Sequence, residues 1–81
     1  MDTMTKRILE KFITNRCIGE HHILEVNIRK GFDRKDHGTV KEKLKELEKQ
    51  GYINKHPSGH GDAYAVTYAK LEEIKRVLKS S

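Results

Sequence analysis

The chain has 81 residues, of which 36% are charged and 35% apolar. That is enough for one small domain with a thin core, and it excludes a second core or a large catalytic cleft. Seventeen basic and 12 acidic residues give a net charge of +5, which leans toward polyanionic partners; the single cysteine, Cys17, excludes an intramolecular disulfide framework and a cysteine-rich metal centre.

Residues 3–15 place Met4, Ile8, Leu9, Phe12 and Ile13 on one helical face, which predicts a helix. Thr3 or Thr5 is its expected N-cap, because a hydroxyl accepts from the unpaired amides of the first turn. Cys17-Ile18, ahead of Gly19, reads as at most a few residues of strand. Residues 22–30 carry two patterns at once. Leu24, Val26 and Ile28 alternate with polar residues as a strand would, while Ile23, Leu24, Asn27 and Ile28 share a helical face. Gly19 and Gly31 bracket about ten residues, ordinary for a helix and long for a strand, so a helix is expected.

Residues 33–50 form the best-defined segment, with Val40, Leu44 and Leu47 as a narrow apolar stripe. Asp33 is the expected N-cap, Asp36 suits the positive end of the helix dipole, and Gly51 is the expected stop. Residues 52–56 and 62–67 read as two strands, joined by five residues holding Pro57, Gly59 and Gly61. Tyr64 and Val66 share a face of the second strand, and Ile53 is the expected core residue opposite. Residues 68–79 carry Leu71, Ile74, Val77 and Leu78 at helical spacing, with Thr67 as the candidate cap. The expected class is α+β, mostly α: helix, helix, helix, hairpin, helix.

The positive charge is concentrated. Between residues 29 and 45, Arg29, Lys30, Arg34, Lys35, Lys41, Lys43 and Lys45 face only Asp33, Asp36 and Glu42, so four units of the excess lie there. With Val40, Leu44 and Leu47 inward, Gly38, Lys41, Glu42, Lys45 and Lys49 point outward. A positive helix end beside a hairpin suits a nucleic-acid duplex, the helix entering the major groove and neighbouring groups contacting phosphates. Gly38 lowers helix propensity by about 1 kcal/mol, which close approach to a nucleic-acid backbone or packing on a neighbouring helix would justify. Against this stands the solvated-face reading, in which Lys41, Lys45 and Lys49 merely interleave with Glu42, Glu46 and Glu48.

Gly38-Thr39-Val40, followed by Leu44-Lys45-Glu46-Leu47-Glu48-Lys49-Gln50-Gly51-Tyr52-Ile53, resembles the recognition helix and first wing strand of winged-helix DNA-binding proteins of the prokaryotic and archaeal transcription-regulator type. Tyr64-Ala65-Val66-Thr67 is similar to their returning wing strand, and the resemblance covers essentially the whole chain. It implies a three-helix bundle with a β-hairpin wing and a C-terminal fourth helix. It further implies a small DNA-binding transcriptional regulator, with a recognition helix at about 34–50 and a wing at about 52–67. Arg34, Lys35, His37, Thr39, Lys41 and Lys45 would face the major groove, and Lys55, His56, Ser58 and His60 would lie on the wing near the backbone. The tip lacks the arginine often found there and carries Asp62, so the wing is expected to contribute weakly or to respond to pH through His56 and His60. The alternatives are a protein-interaction module and an RNA-binding module.

Other constellations are weaker. His56, His60 and Asp62, with His21-His22, are metal-ligand types at short spacing but equally the polar residues of a solvated turn. Cys17 reads as a core residue. No glycine-rich phosphate cradle, carboxylate pair or triad spacing occurs, so neither catalysis nor a cofactor is expected. Leu71, Ile74 and Leu78, with Val77, suggest a homodimer formed partly through the last helix and the first, or else they simply cover the three-helix core. Residues 1–5 lack a secretion-signal pattern, and no apolar run approaches the roughly 18 residues of a membrane span, so a soluble, cytoplasmic protein without membrane contact is expected.

Overall fold

A computed structural model describes residues 1–80. The chain is a small α+β domain, mostly helical, built from α1 (Thr3–Thr14), β1 (Ile23–Leu24), α2 (Glu25–Arg29), α3 (His37–Lys49), β2 (Ile53–Ser58), β3 (Gly61–Val66) and α4 (Leu71–Lys79). Single 3-10 turns, Arg34–Asp36 and Tyr68–Lys70, lead into α3 and α4. No described helix is long and apolar enough to cross a membrane.

The helices and the sheet close on one core. Ile8, Leu9 and Phe12 of α1 meet Ile28 of α2, Val40, Leu44 and Leu47 of α3, Ile53, Tyr64 and Val66 of the sheet, and Ile74 of α4. Each such side chain contributes about 1.5–3 kcal/mol when buried. Ile74 is 0% exposed within its own subunit, and Leu71 and Leu78 pack against the same core. Ile74 is therefore a core residue with no surface left for a dimer contact, while Leu71 and Leu78 are only partly covered by the chain.

The sheet has three antiparallel strands in the order β1-β3-β2. β1 was not expected as a separate strand. Its two residues pair with Tyr64 and Ala63, after which the chain turns helical at Glu25. The expected helix over 22–30 is thus corrected to a two-residue strand and a five-residue helix, and neither pattern holds throughout: Val26 and Asn27 are exposed and only Ile28 is fully buried. Because β3 is central, Ala63, Tyr64, Ala65 and Val66 are all buried, not only the expected Tyr64 and Val66. Ile53 pairs with Val66 as anticipated. Cys17-Ile18 supplies only a bridge: Ile18 to Val66, with the Val66 amide donating to the Cys17 carbonyl at 2.9 Å.

The hairpin differs from the expected five-residue connection. Pairing continues through Pro57, opposite Asp62, to Ser58, opposite Gly61, leaving a two-residue tip. β2 lies at the sheet edge, the position where proline's missing N–H is tolerated. The Ser58 hydroxyl donates to the Gly61 carbonyl at 2.6 Å and accepts from the His60 amide at 3.2 Å, fastening the turn.

The expected caps are corrected as well. Asp2, extended ahead of α1, caps it by accepting from the Thr5 amide at 2.7 Å. A carboxylate here also meets the helix dipole, whereas Thr5 is turned into the protein. Asp33 and Thr67 precede 3-10 turns and make no side-chain capping bond.

Two helices end in the same way with different residues. After α3, the Gly51 amide donates to Glu48 and the Tyr52 amide to Leu47, both at 3.0 Å, with Gly51 at φ +82°. After α1, the Arg16 amide donates to Ile13 at 3.1 Å and the Cys17 amide to Phe12 at 2.9 Å, with Arg16 at φ +55°. Both are Schellman closures, which place one residue in the left-handed region. Glycine enters that region freely, but a side chain there costs roughly 1–2 kcal/mol. The Arg16→Gly substitution is therefore expected to raise the melting temperature by a few degrees, a gain of about 1 kcal/mol at most. Gly51→Ala is expected to lower it by a similar amount, and thermal unfolding of the two variants beside the parent chain checks both signs.

Candidate nucleic-acid interface

The register of α3 follows from its stripe. Burial of Val40, Leu44 and Leu47 leaves Gly38, Thr39, Lys41, Glu42, Lys45 and Lys49 exposed. Nothing lies within 4 Å of a Cβ built on Gly38. Packing against a neighbouring helix therefore does not explain this glycine.

The basic residues of segment 29–45 divide into held and free groups. Arg29 lies 3.7 Å from Glu25 on its own helix. Lys43 reaches Asp2 at 2.8 Å and Glu46 at 3.8 Å, binding α3 to the start of α1. Among the described residues, Lys30, Arg34, Lys35, Lys41 and Lys45 have no carboxylate within 4 Å, and all five are exposed. The charge seen in the sequence thus survives folding, reduced by the two paired cations.

The loop bearing Arg34 and Lys35 is anchored from both sides. Phe32 packs against the core, and the Arg7 guanidinium of α1 stands over its ring, 4.8 Å from the centroid. His37, half-buried, spans 3.1 Å from Nε2 to the Phe32 carbonyl. The ring expected to face a groove thus directs one nitrogen toward its own loop. Thr39 remains exposed.

On the hairpin, Lys55, His56, Ser58 and His60 are all exposed, although Ser58 is engaged in the turn. His56 pairs with Ala63 and its ring meets that of His22, with centroids 4.5 Å apart and planes at 30°. The small Ala63 and Ala65 on β3 leave room for the two rings to meet from either side of the central strand. His22 was only a remote candidate in the sequence, because its approach to His56 depends on the pairing of β1 with β3. The structure brings His22 to His56 but no third donor: among the described residues, no group of three or more His, Cys, Asp or Glu side chains converges.

Burial first, and then the Glu25, Asp62 and Glu48 carboxylates, push the Tyr64 phenol up to about 12. Of these three carboxylates Glu25 is itself 3.7 Å from Arg29, and Lys55 stands opposite Tyr64 on β2. At the far side, the Tyr52 hydroxyl donates to Glu73, which also lies 3.9 Å from Lys70. This ties the end of α3 to α4 and raises the Tyr52 phenol. Cys17, buried and raised by desolvation, stays a core thiol. Comparison of the chain with protein-family models, curated protein sequences and solved structures returned no match.

The Asp2–Lys43 pair carries a pH signature. Its hydrogen bond with Lys43, followed by that from the Thr5 amide, holds the Asp2 carboxyl well below the usual carboxylate range, and the same pairing raises Lys43. A carboxyl that binds its proton more weakly when folded stabilises the fold at neutral pH and loses that contribution as pH falls from about 4 downward. Asn in place of Asp2 keeps a capping acceptor but removes the charge. The Asp2→Asn variant is expected to show a shallower fall of melting temperature below pH 4 than the parent chain, read by thermal melts between pH 7 and pH 2.5. The effect is small, because the pair is largely in water.

Proposed function

We propose that this chain is a winged-helix protein that binds double-stranded DNA, as a small transcriptional regulator. The helix–strand–helix–helix–strand–strand order, with the short first strand beside the third, supports the winged-helix reading. In it α3 enters the major groove and the β2–β3 hairpin is the wing beside the sugar-phosphate backbone. The observation that carries the proposal is the set of exposed cations with, among the described residues, no carboxylate within 4 Å: Arg34 and Lys35 just ahead of α3, and Lys41 and Lys45 along it.

Phosphate contacts from these four side chains supply most of the affinity and set the register of the helix. Thr39, exposed on the first turn of α3, is in position to touch a base edge. The wing contributes through Lys55, His56 and His60, with His22 beside His56. Asp62, exposed on β3 beside the tip, would repel phosphate, so the wing contributes less than α3. The exposed mixture of Lys41, Glu42, Lys45, Glu46 and Lys49 on α3 supports a second reading, a protein-interaction module whose third helix meets an acidic partner.

Binding to random-sequence duplex is expected to weaken steeply with salt. Lys45→Ala should lower affinity for all duplexes alike and reduce the magnitude of the salt slope by about one unit. Electrophoretic shifts with duplex DNA, single strands and duplex RNA at two salt concentrations check this. Equal failure with all three would overturn the nucleic-acid reading, and a preference for RNA would reassign the partner.

A further inference from the structure

Glu42 is out of place on a surface that meets a polyanion. It lies on the outermost line of α3 with Gly38, Lys45 and Lys49, spaced four, three and four residues apart, and it is exposed. Unlike Glu46, which is 3.8 Å from Lys43, Glu42 has no cation within 4 Å among the described residues.

Local helix stability gives little reason for it. Lys45, three residues on, is a favourable neighbour that does not close to 4 Å, while Glu46, four residues on, is a like charge and Gly38, four residues back, offers no side chain. Position 42 also lies in the middle of α3, away from the first turn where the helix dipole favours a carboxylate. What Gly38 does provide is clearance, since nothing stands within 4 Å of its missing side chain. One turn later on the same exposed line the side chain presented is Glu42, with Lys41 and Lys45 on one flank.

Resting on the duplex reading above, we infer that Glu42 is a specificity-determining residue that accepts a hydrogen bond from the exocyclic amino group of a cytosine in the major groove. A carboxylate has only acceptors to offer at neutral pH. Guanine presents N7 and O6, both acceptors, and thymine presents O4 and a methyl group, so both repel it or leave it unpaired. Adenine places its amino group beside the N7 acceptor, which suits an amide that donates and accepts together. Cytosine alone presents a donor with no acceptor of its own base alongside. Lys41 and Lys45, one turn apart on the same flank of Glu42, hold the helix against phosphates on that side, while Glu42 weakens binding wherever the base opposite it lacks a donor.

The test is selection from a randomised duplex pool by the full chain and by Glu42→Gln and Glu42→Ala, with circular dichroism confirming that these surface variants fold. The parent chain is expected to enrich sites holding a C·G pair at one position by about tenfold or more. Glu42→Ala should make that position degenerate and bind unselected duplex more tightly, because a repelling charge is gone. Glu42→Gln should move the preference from cytosine to adenine, a switch that loss of a merely structural residue would not produce. Duplex binding without a cytosine preference, or one motif shared by all three proteins, overturns the role of Glu42 and leaves DNA binding standing. A parent chain that retains no duplex overturns the DNA reading and this inference with it.

Discussion

The burial of Val40, Leu44 and Leu47 against α1 sets the rotation of α3, and most of what this molecule presents to solvent follows from that rotation. All three side chains are at most 2% exposed. Turning the helix by one residue, about 100°, would expose two or more of them and lose several kcal/mol. With the inward face settled, Gly38, Lys41, Glu42, Lys45 and Lys49 have only the outward face to occupy. Their exposure is a consequence of core packing, with no separate interaction needed to hold them there.

The charges on that face were then sorted by what the neighbouring elements brought near. Lys43 lies on the flank beside the start of α1, and Asp2 meets it there. Arg29 has Glu25 one turn away on its own helix. Arg34, Lys35, Lys41 and Lys45 have no such carboxylate, and their loop is braced by Arg7 on Phe32 and by His37 on the Phe32 carbonyl. A basic surface on a braced loop loses little conformational entropy on meeting a ligand, compared with the same residues in a free segment.

The segment between α1 and β1 shows the opposite economy. Arg16 adopts a left-handed backbone that Gly51 occupies more easily in the equivalent closure of α3. Gly19, at φ +66°, leaves the space that the Tyr68 ring fills. The Gly19 amide and the Cys17 carbonyl are both bonded to Val66 at 2.9 Å. The link is thereby stitched to β3, which lets β1 form with only two residues.

The amino-acid sequence by itself determined the helices α1, α3 and α4, the stop at Gly51 and the inward stripes. These depend on spacings of three and four residues and on single-residue backbone preferences, which are local physics. It also determined where the positive charge would concentrate. Only the tertiary structure decided that Ile74 belongs to the core, that residues 22–30 divide into strand and helix, that Pro57 lies within an edge strand, and that Lys43 is neutralised while Lys45 is not. The meeting of His22 with His56 is of the same kind. Each depends on which element becomes the neighbour of which, across 20 or more residues of chain for most of these pairs, and no pattern within one segment contains that information.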